Sequence, residues 1–204
     1  MEDLLDLYAE AGDPWFPVVC FDECPVQLVS EVRQPLPAAP GRRRRYDYHY
    51  HREGTANLFM FFCPRQGWRH VTVTDRRTKQ DFAHQMKALV DGYFPKALQI
   101  RVVLDNLNTH TPSALYETFE PAEARRILRR LEFHYTPVHA SWLNMVELEL
   151  AVLSAQCLQR RIGSNFMLRH EIWAWEAERN AKHATIDWRF TCRDARHRLR
   201  LYPS

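Results

Sequence analysis

Three acidic residues stand where carboxylates could act on a substrate. Asp22 follows the apolar run Val18-Val19-Cys20-Phe21, and Asp105 follows a second run, Ile100 to Leu104. Each run reads as a buried strand, so each Asp is expected at a strand's carboxyl end, the edge where open α/β sheets bind ligands. Two such strands lying side by side would bring both carboxylates together. The alternative is that each Asp merely opens a turn, as Asp often does. The third residue is Glu147. Leu143, Val146, Leu150, Leu153 and Cys157 recur at helical spacing within a long helix expected from Ser141 to about Arg160. At about 100° per residue they form one core-facing stripe. Measured from Leu143, Glu147 falls at about 40°, on the edge of that stripe, and Glu149 at about 240°, outside it. A carboxylate beside a core stripe should be paired, protonated or bound to metal, since an unpaired buried charge is costly. Its partner could equally be an arginine, or the face could be wetter than drawn.

Two aspartates and a glutamate offer hard oxygen ligands and a formal charge of −3. Such a set selects Mg²⁺ or Mn²⁺ over zinc, and Mg²⁺ is commonly completed by water and substrate phosphate. Two ions about 3.5–4 Å apart stabilise both oxygens of an in-line phosphoryl displacement. The chemistry therefore points at a phosphodiester.

The elements that must position these groups follow from the periodicity. Residues 3–11 are a short helix or a lead-in segment, and Val26 to Val32 is a further extended piece. Pro35 to Gly41 reads as a loop leading into Arg42-Arg43-Arg44-Arg45 and the alternating Tyr46, Tyr48 and Tyr50. Asn57 to Phe62 and Arg69 to Thr74 read as antiparallel strands joined around Pro64 to Gly67. Thr78 and Asp81 have the spacing of a capping box, before a helix carrying Phe82, Met86, Leu89, Val90 and Phe94. Thr111-Pro112 opens another helix, Ala122 to Leu131 forms the next, and Leu131 to Tyr135 is the last strand. Strands first, then strands alternating with helices, give an α/β fold with a mixed sheet flanked by helices and a helical C-terminal extension.

Composition agrees with a globular domain. The chain has 204 residues, 46% of them hydrophobic, enough to bury a core. No apolar run approaches the ~18 residues of a membrane helix, and the acidic amino terminus is no signal peptide. Cys20, Cys24, Cys63, Cys157 and Cys192 form no CxxC pair and read as reduced cytosolic thiols. The net charge of +3 hides an uneven layout: residues 1–32 carry eight acids and no Lys or Arg, while residues 42–80 carry ten Lys+Arg against three acids. Of 28 basic residues, 28 − 4 = 24 are arginine, the side chain best shaped for phosphate, although codon bias would give the same excess.

Val-Val-Cys-Phe-Asp22-Glu, Arg-Val-Val-Leu-Asp105-Asn-Leu-Asn-Thr-His110 and Tyr-Thr-Pro-x-His-x-Ser-Trp-Leu-Asn144-Met-Val-Glu147 resemble the three catalytic blocks of DDE transposases. The resemblance is to the bacterial insertion-sequence branch of the Tc/mariner superfamily, also described as DDE superfamily endonucleases. It spans roughly Pro17 to the end of the chain. It implies an RNase H-like fold with Asp22, Asp105 and Glu147 as catalytic residues and ligands of two Mg²⁺ (or Mn²⁺) ions. It also implies hydrolysis at transposon ends and attack of the freed 3′-hydroxyl on target DNA. The partners expected are DNA and a second copy of the chain, with no membrane, in the bacterial cytoplasm at the nucleoid.

On this reading residues 1–14 are a lead-in segment, 15–162 the catalytic domain and 163–204 its helical extension. Three departures stand out. Met145 replaces the proline usual in the third block, the Asp105–Glu147 gap is 41 residues long, and no helix-turn-helix module fits before Val18. The chain is accordingly expected to be a catalytic domain, a fragment or a decayed copy. Asn106, His110 and Asn144 could support the ligands or serve as ordinary loop, core and cap residues. Arg42, Arg43, Arg44, Arg45, Arg76 and Arg77 are the candidate DNA contacts, with a solvated loop as the plainer reading. His134, His139, Cys20 and Cys24 match no common zinc spacing. Of Trp173 and Trp175, two apart on a helix, one is expected in the core and the other exposed. An inactive remnant that binds DNA or a partner, and another RNase H-like nuclease, remain the alternatives.

Overall fold

The computed structural model describes residues 1–199. Five strands form one sheet in the order β3-β2-β1-β4-β5: β1 (Val18–Glu31), β2 (Tyr50–Cys63), β3 (Trp68–Thr74), β4 (Ile100–Leu104) and β5 (Leu131–Tyr135). The first three are an antiparallel meander, whereas β4 runs parallel to β1 and β5 parallel to β4. This is the mixed sheet expected, and it is RNase H-like in its architecture.

Period-two alternation sorts the strand side chains into two cores. Val19, Phe21, Phe59, Phe61, Val102 and Leu104 face the side covered by α2 (Lys79–Ala88), α3 (Pro112–Thr118) and α4 (Pro121–Leu128). Cys20, Leu58, Met60, Phe62 and Val103 face the other side, covered by α1 (Glu2–Ala9), α5 (Met145–Leu153), α6 (Asn165–Ala181) and α7 (Cys192–Leu199). Local chemistry starts these helices. Thr78 and Asp81 form the expected capping box on α2, and Pro112 occupies the first turn of α3. Ser164 accepts the Met167 N–H at the start of α6. On α6, Trp175 is buried and Trp173 exposed. The α6 C-terminus closes onto the β2–β3 turn, where Gly67 has φ +60° and an added Cβ would stand 2.4 Å from the His183 carbonyl oxygen. Only glycine fits there.

Three expectations need correction. First, β1 does not stop at Asp22 but continues to Glu31. Beyond Cys20 it no longer pairs with β4, while its pairing with β2 runs on to Glu31↔Tyr50 with a bulge at Leu28/Val29. The outer part of β2, Tyr50 to Thr55, is exposed, and polar residues there hide a strand that has two exposed faces. Second, Ser141 opens only a single 3₁₀ turn, and α5 begins at Met145. Asn144 is its N-cap, because its side chain accepts from Val146 and so supplies the helix start that Ser141 does not. Third, Glu149 is buried, since α6 and the start of β3 cover the side of α5 that a single-stripe reading leaves to solvent.

Candidate active site

The site is built at the carboxyl edge of β4. Asp105 is the first residue past that strand. Cys20 pairs with Val103 in the parallel ladder, so Asp22 and Asp105 each lie two residues beyond the same rung. Alternation puts Asp22 on the face of Cys20, the face that α5 covers. Glu147 lies in the first turn of that helix. Two bonds fix the helix start against the strand. The Asn144 side-chain amide donates to the Phe21 carbonyl at 2.9 Å, and the Tyr8 hydroxyl donates to the Leu143 carbonyl at 2.8 Å. Glu147 is thereby tied to the residue immediately before Asp22.

The electrostatics report the same convergence. Burial pushes the Asp22 carboxyl up to about 7, against the Glu23 N–H that donates to it at 2.7 Å. The charges of Asp105 and Glu147 push it further in the same direction. Asp105 and Glu147, both half-buried, therefore lie close enough for their charges to act on Asp22. Among the described residues no three His, Cys, Asp or Glu side chains close into a ready-made metal cage. The donor set nevertheless fits Mg²⁺ or Mn²⁺, which takes carboxylate oxygens, keeps several waters and accepts phosphate oxygens.

His110 lies just behind Asp105. It is fully buried, with Nδ1 2.6 Å from Asp105 Oδ1 and Nε2 3.8 Å from Glu23 Oε2. Burial opposes its charge, but the hydrogen bond to Asp105 and the nearby Glu23 carboxylate outweigh that and hold it up at about 9. Asn144 is likewise fully buried and is spent on the helix cap and on Phe21, whereas Asn106 is exposed at the site's rim.

The candidate phosphate contacts fall in two places. Arg76 and Arg77 follow β3, and Arg77 reaches Glu23 at 3.2 Å, which places it beside the carboxylates. Arg42, Arg43, Arg44 and Arg45 lie in the β1–β2 loop and are exposed. That loop begins past Glu31, nine residues and about 30 Å along an extended strand from Asp22. Arg161 anchors it by donating to the Asp47 and His49 carbonyls, pairing with Glu31, and lying over the Tyr46 and Tyr50 rings.

The sequence reading missed the contacts that hold α5 from behind. Arg69 and Glu149 are fully buried partners, with Arg69 Nε 2.9 Å from Glu149 Oε1. The Nε–H direction misses that oxygen, so the contact is an ion pair rather than a hydrogen bond. Arg179 from α6 grips Glu149 with two hydrogen bonds, at 2.6 and 3.0 Å. No local pattern connects residues 69, 149 and 179. The only available signal was a Glu on a largely apolar helix.

A family model described as DDE superfamily endonuclease matches residues 17–169. No curated protein matches the chain at a significant level. Among solved structures, the chain is similar to the Mos1 transposase paired-end complex with left transposon end, at 16% identity and TM-score 0.60, over 89% of this chain and 55% of that one. It is similar to the Mos1 strand transfer complex at 17% identity and TM-score 0.59, over 89% and 54%. The pre-cleavage Mos1 transpososome gives 16% identity and TM-score 0.58, over 89% and 58%. The chain thus spans about half the length of the solved relatives it matches.

Proposed function

Because the chain belongs to the DDE superfamily endonucleases, we propose that it carries the catalytic domain of an insertion-sequence transposase, cutting DNA at element ends and joining the freed 3′-hydroxyl to target DNA. The observation that carries this reading is the convergence of Asp22, Asp105 and Glu147 from β1, β4 and α5 on one half-buried space. In this reading the three hold two Mg²⁺ or Mn²⁺ ions, which when bound activate the attacking oxygen and stabilise the leaving one.

The chain's own residues do the rest. Asn144 and Tyr8 hold the start of α5, and with it Glu147, at the level of Asp22. Arg77, exposed beside the carboxylates, and its exposed neighbour Arg76 would take backbone phosphates near the scissile bond, and Arg42 to Arg45 more distant ones. In this layout residues 15–162 form the catalytic domain and residues 163–204 an extension, of which 200–204 lie outside the described residues and whose α6 braces α5. A homo-oligomer acting on DNA at the bacterial nucleoid completes the proposal.

The test is Mg²⁺-dependent cleavage of duplexes carrying the element's ends, by the wild type and by Asp105→Asn. The expected result is loss of cleavage in the variant with its melting temperature retained. Cleavage by the variant at the wild-type rate, or without any divalent ion, would refute the assignment. Saturable Mn²⁺ binding without cleavage would mark a site that assembles but does not act.

A further inference from the structure

We propose that His110, backed by Glu23, is a positioning residue that fixes the Asp105 carboxylate for metal. The inference rests on the metal-ligand reading above and deepens it.

The imidazole has little freedom. Its backbone N–H donates to the Leu107 carbonyl at 2.9 Å, and its own carbonyl accepts the Tyr135 hydroxyl at 2.8 Å. Its ring lies against Phe21 and Phe82, with centroids 5.3 and 4.9 Å away. Full burial keeps it from reaching a DNA substrate, so any effect on the reaction must pass through what it touches. What it touches is Asp105. A carboxylate can only accept, so Nδ1 carries the hydrogen and donates to Oδ1 at 2.6 Å. That bond turns one carboxylate oxygen inward and leaves the other for a cation.

A purely packing role explains this histidine poorly. The surroundings are aromatic, and a phenylalanine would fill them without burying a polar ring. Instead the protein tolerates a buried Nε2 that makes no hydrogen bond, a cost that native cores usually avoid. Glu23 lies behind that nitrogen at 3.8 Å, an ion-pair distance, with its side chain 5% exposed. Glu23 is in turn held by Arg77 at 3.2 Å. The result is a file of groups, Arg77–Glu23–His110–Asp105, running from the surface to the proposed ligand. Partners of this kind, which orient a ligand without touching the metal, typically contribute 10–100-fold in metal affinity.

Three substitutions separate orientation from bulk. His110→Asn keeps a donor near the Nδ1 position, His110→Gln moves the amide toward Nε2, and His110→Phe fills the space with no donor. Mn²⁺ binding to the DNA-free protein is read by electron paramagnetic resonance, DNA affinity by anisotropy and folding by thermal melting. His110→Asn should bind Mn²⁺ within about threefold of wild type. His110→Gln and His110→Phe should bind it about 10–100-fold more weakly, with DNA affinity unchanged. Glu23→Gln should fall between them. Equal Mn²⁺ binding in wild type, Gln and Phe variants overturns the inference while leaving the ligand assignment intact. Equal loss in all three His110 variants also overturns it, because the Asp105 contact would then not be what matters. No saturable Mn²⁺ binding by the wild type overturns the ligand reading itself, and this inference with it.

Discussion

The Glu149 clamp yields the sharpest stability prediction. Glu149→Ala removes the carboxylate that faces Arg69, whose guanidinium is fully buried, and Arg179, whose side chain is 18% exposed. Arg179 can turn toward water, but Arg69 cannot. It stays surrounded by the Gly67 and Ala184 carbonyls and the Asn180 side-chain oxygen, all neutral. Breaking one side of a buried pair in this way costs about 3–5 kcal/mol. At about 2–4 °C per kcal/mol for a chain of this size, the melting temperature should fall by roughly 6–20 °C. Calorimetry and guanidinium unfolding measure it. Arg69→Met in the Glu149→Leu background should be much milder than the sum of the two single changes, because no lone charge remains buried. A loss below about 1 kcal/mol for Glu149→Ala, or simple additivity of the two changes, would refute the view that the pair clamps α5.

Other consequences are smaller. Asn144→Ala removes both a cap and the bond to Phe21, so it should destabilise by about 1–3 kcal/mol in denaturant titrations and slow cleavage further than melting alone explains. Tyr8→Phe loses the buried hydroxyl bond to the Leu143 carbonyl and a longer contact with the Cys20 sulfur, and should cost about 1–2 kcal/mol by the same titration. Cys20, Cys63 and Cys157 are buried, and burial pushes the first two thiols up to about 11 and 12. In the native protein a thiol reagent should therefore react only at the partly exposed Cys24 and Cys192, slowly because burial pushes both thiols up as well, and at all five cysteines after unfolding.

What the sequence made legible follows burial. Runs such as Ile100 to Leu104, buried on both faces, read plainly as strands, and Thr78/Asp81 and Pro112 declare helix starts through local chemistry. The same logic explains the errors. At Asp22 and Glu23 the apolar run ends because β4 ends, not because β1 does, and the outer part of β2, Tyr50 to Thr55, carries no apolar face to betray it. A single-stripe reading of α5 leaves Glu149 to solvent because it takes the helix to bury one face. Its partners Arg69 and Arg179 lie 80 residues before it and 30 after it, beyond any local pattern. The place of Asp105 at the end of β4 is legible because it combines both signals, an apolar strand and an abrupt polar stop. The bond to His110 could not be read at all, since it depends on how the loop turns back over Phe21 and Phe82.

The distribution of arginine argues for a counter-charge supplied from outside the chain. Arginines neutralise Glu2, Glu31, Asp47, Asp91, Glu123, Glu149 and Glu171. Among the described residues Asp22, Asp105 and Glu147 carry no Lys or Arg ion pair, although 24 arginines are available. The raised Asp22 carboxyl gives this a sign that can be measured. Its folded pKa, about 7, lies above the unfolded value near 3.9, so between those values the folded state binds the extra proton. Metal-free protein should accordingly lose stability as pH rises from about 4 to 7. A cation that binds the folded carboxylates reverses that loss. At one hundred times its dissociation constant, Mn²⁺ should add about 2.7 kcal/mol, raising the melting temperature at pH 7 by roughly 5–11 °C. Asp22→Asn should flatten the pH dependence and abolish most of the Mn²⁺ gain. A wild-type melting temperature indifferent to Mn²⁺, or an equal gain in Asp22→Asn, would mean that these carboxylates are not left without a Lys or Arg partner for the sake of a metal.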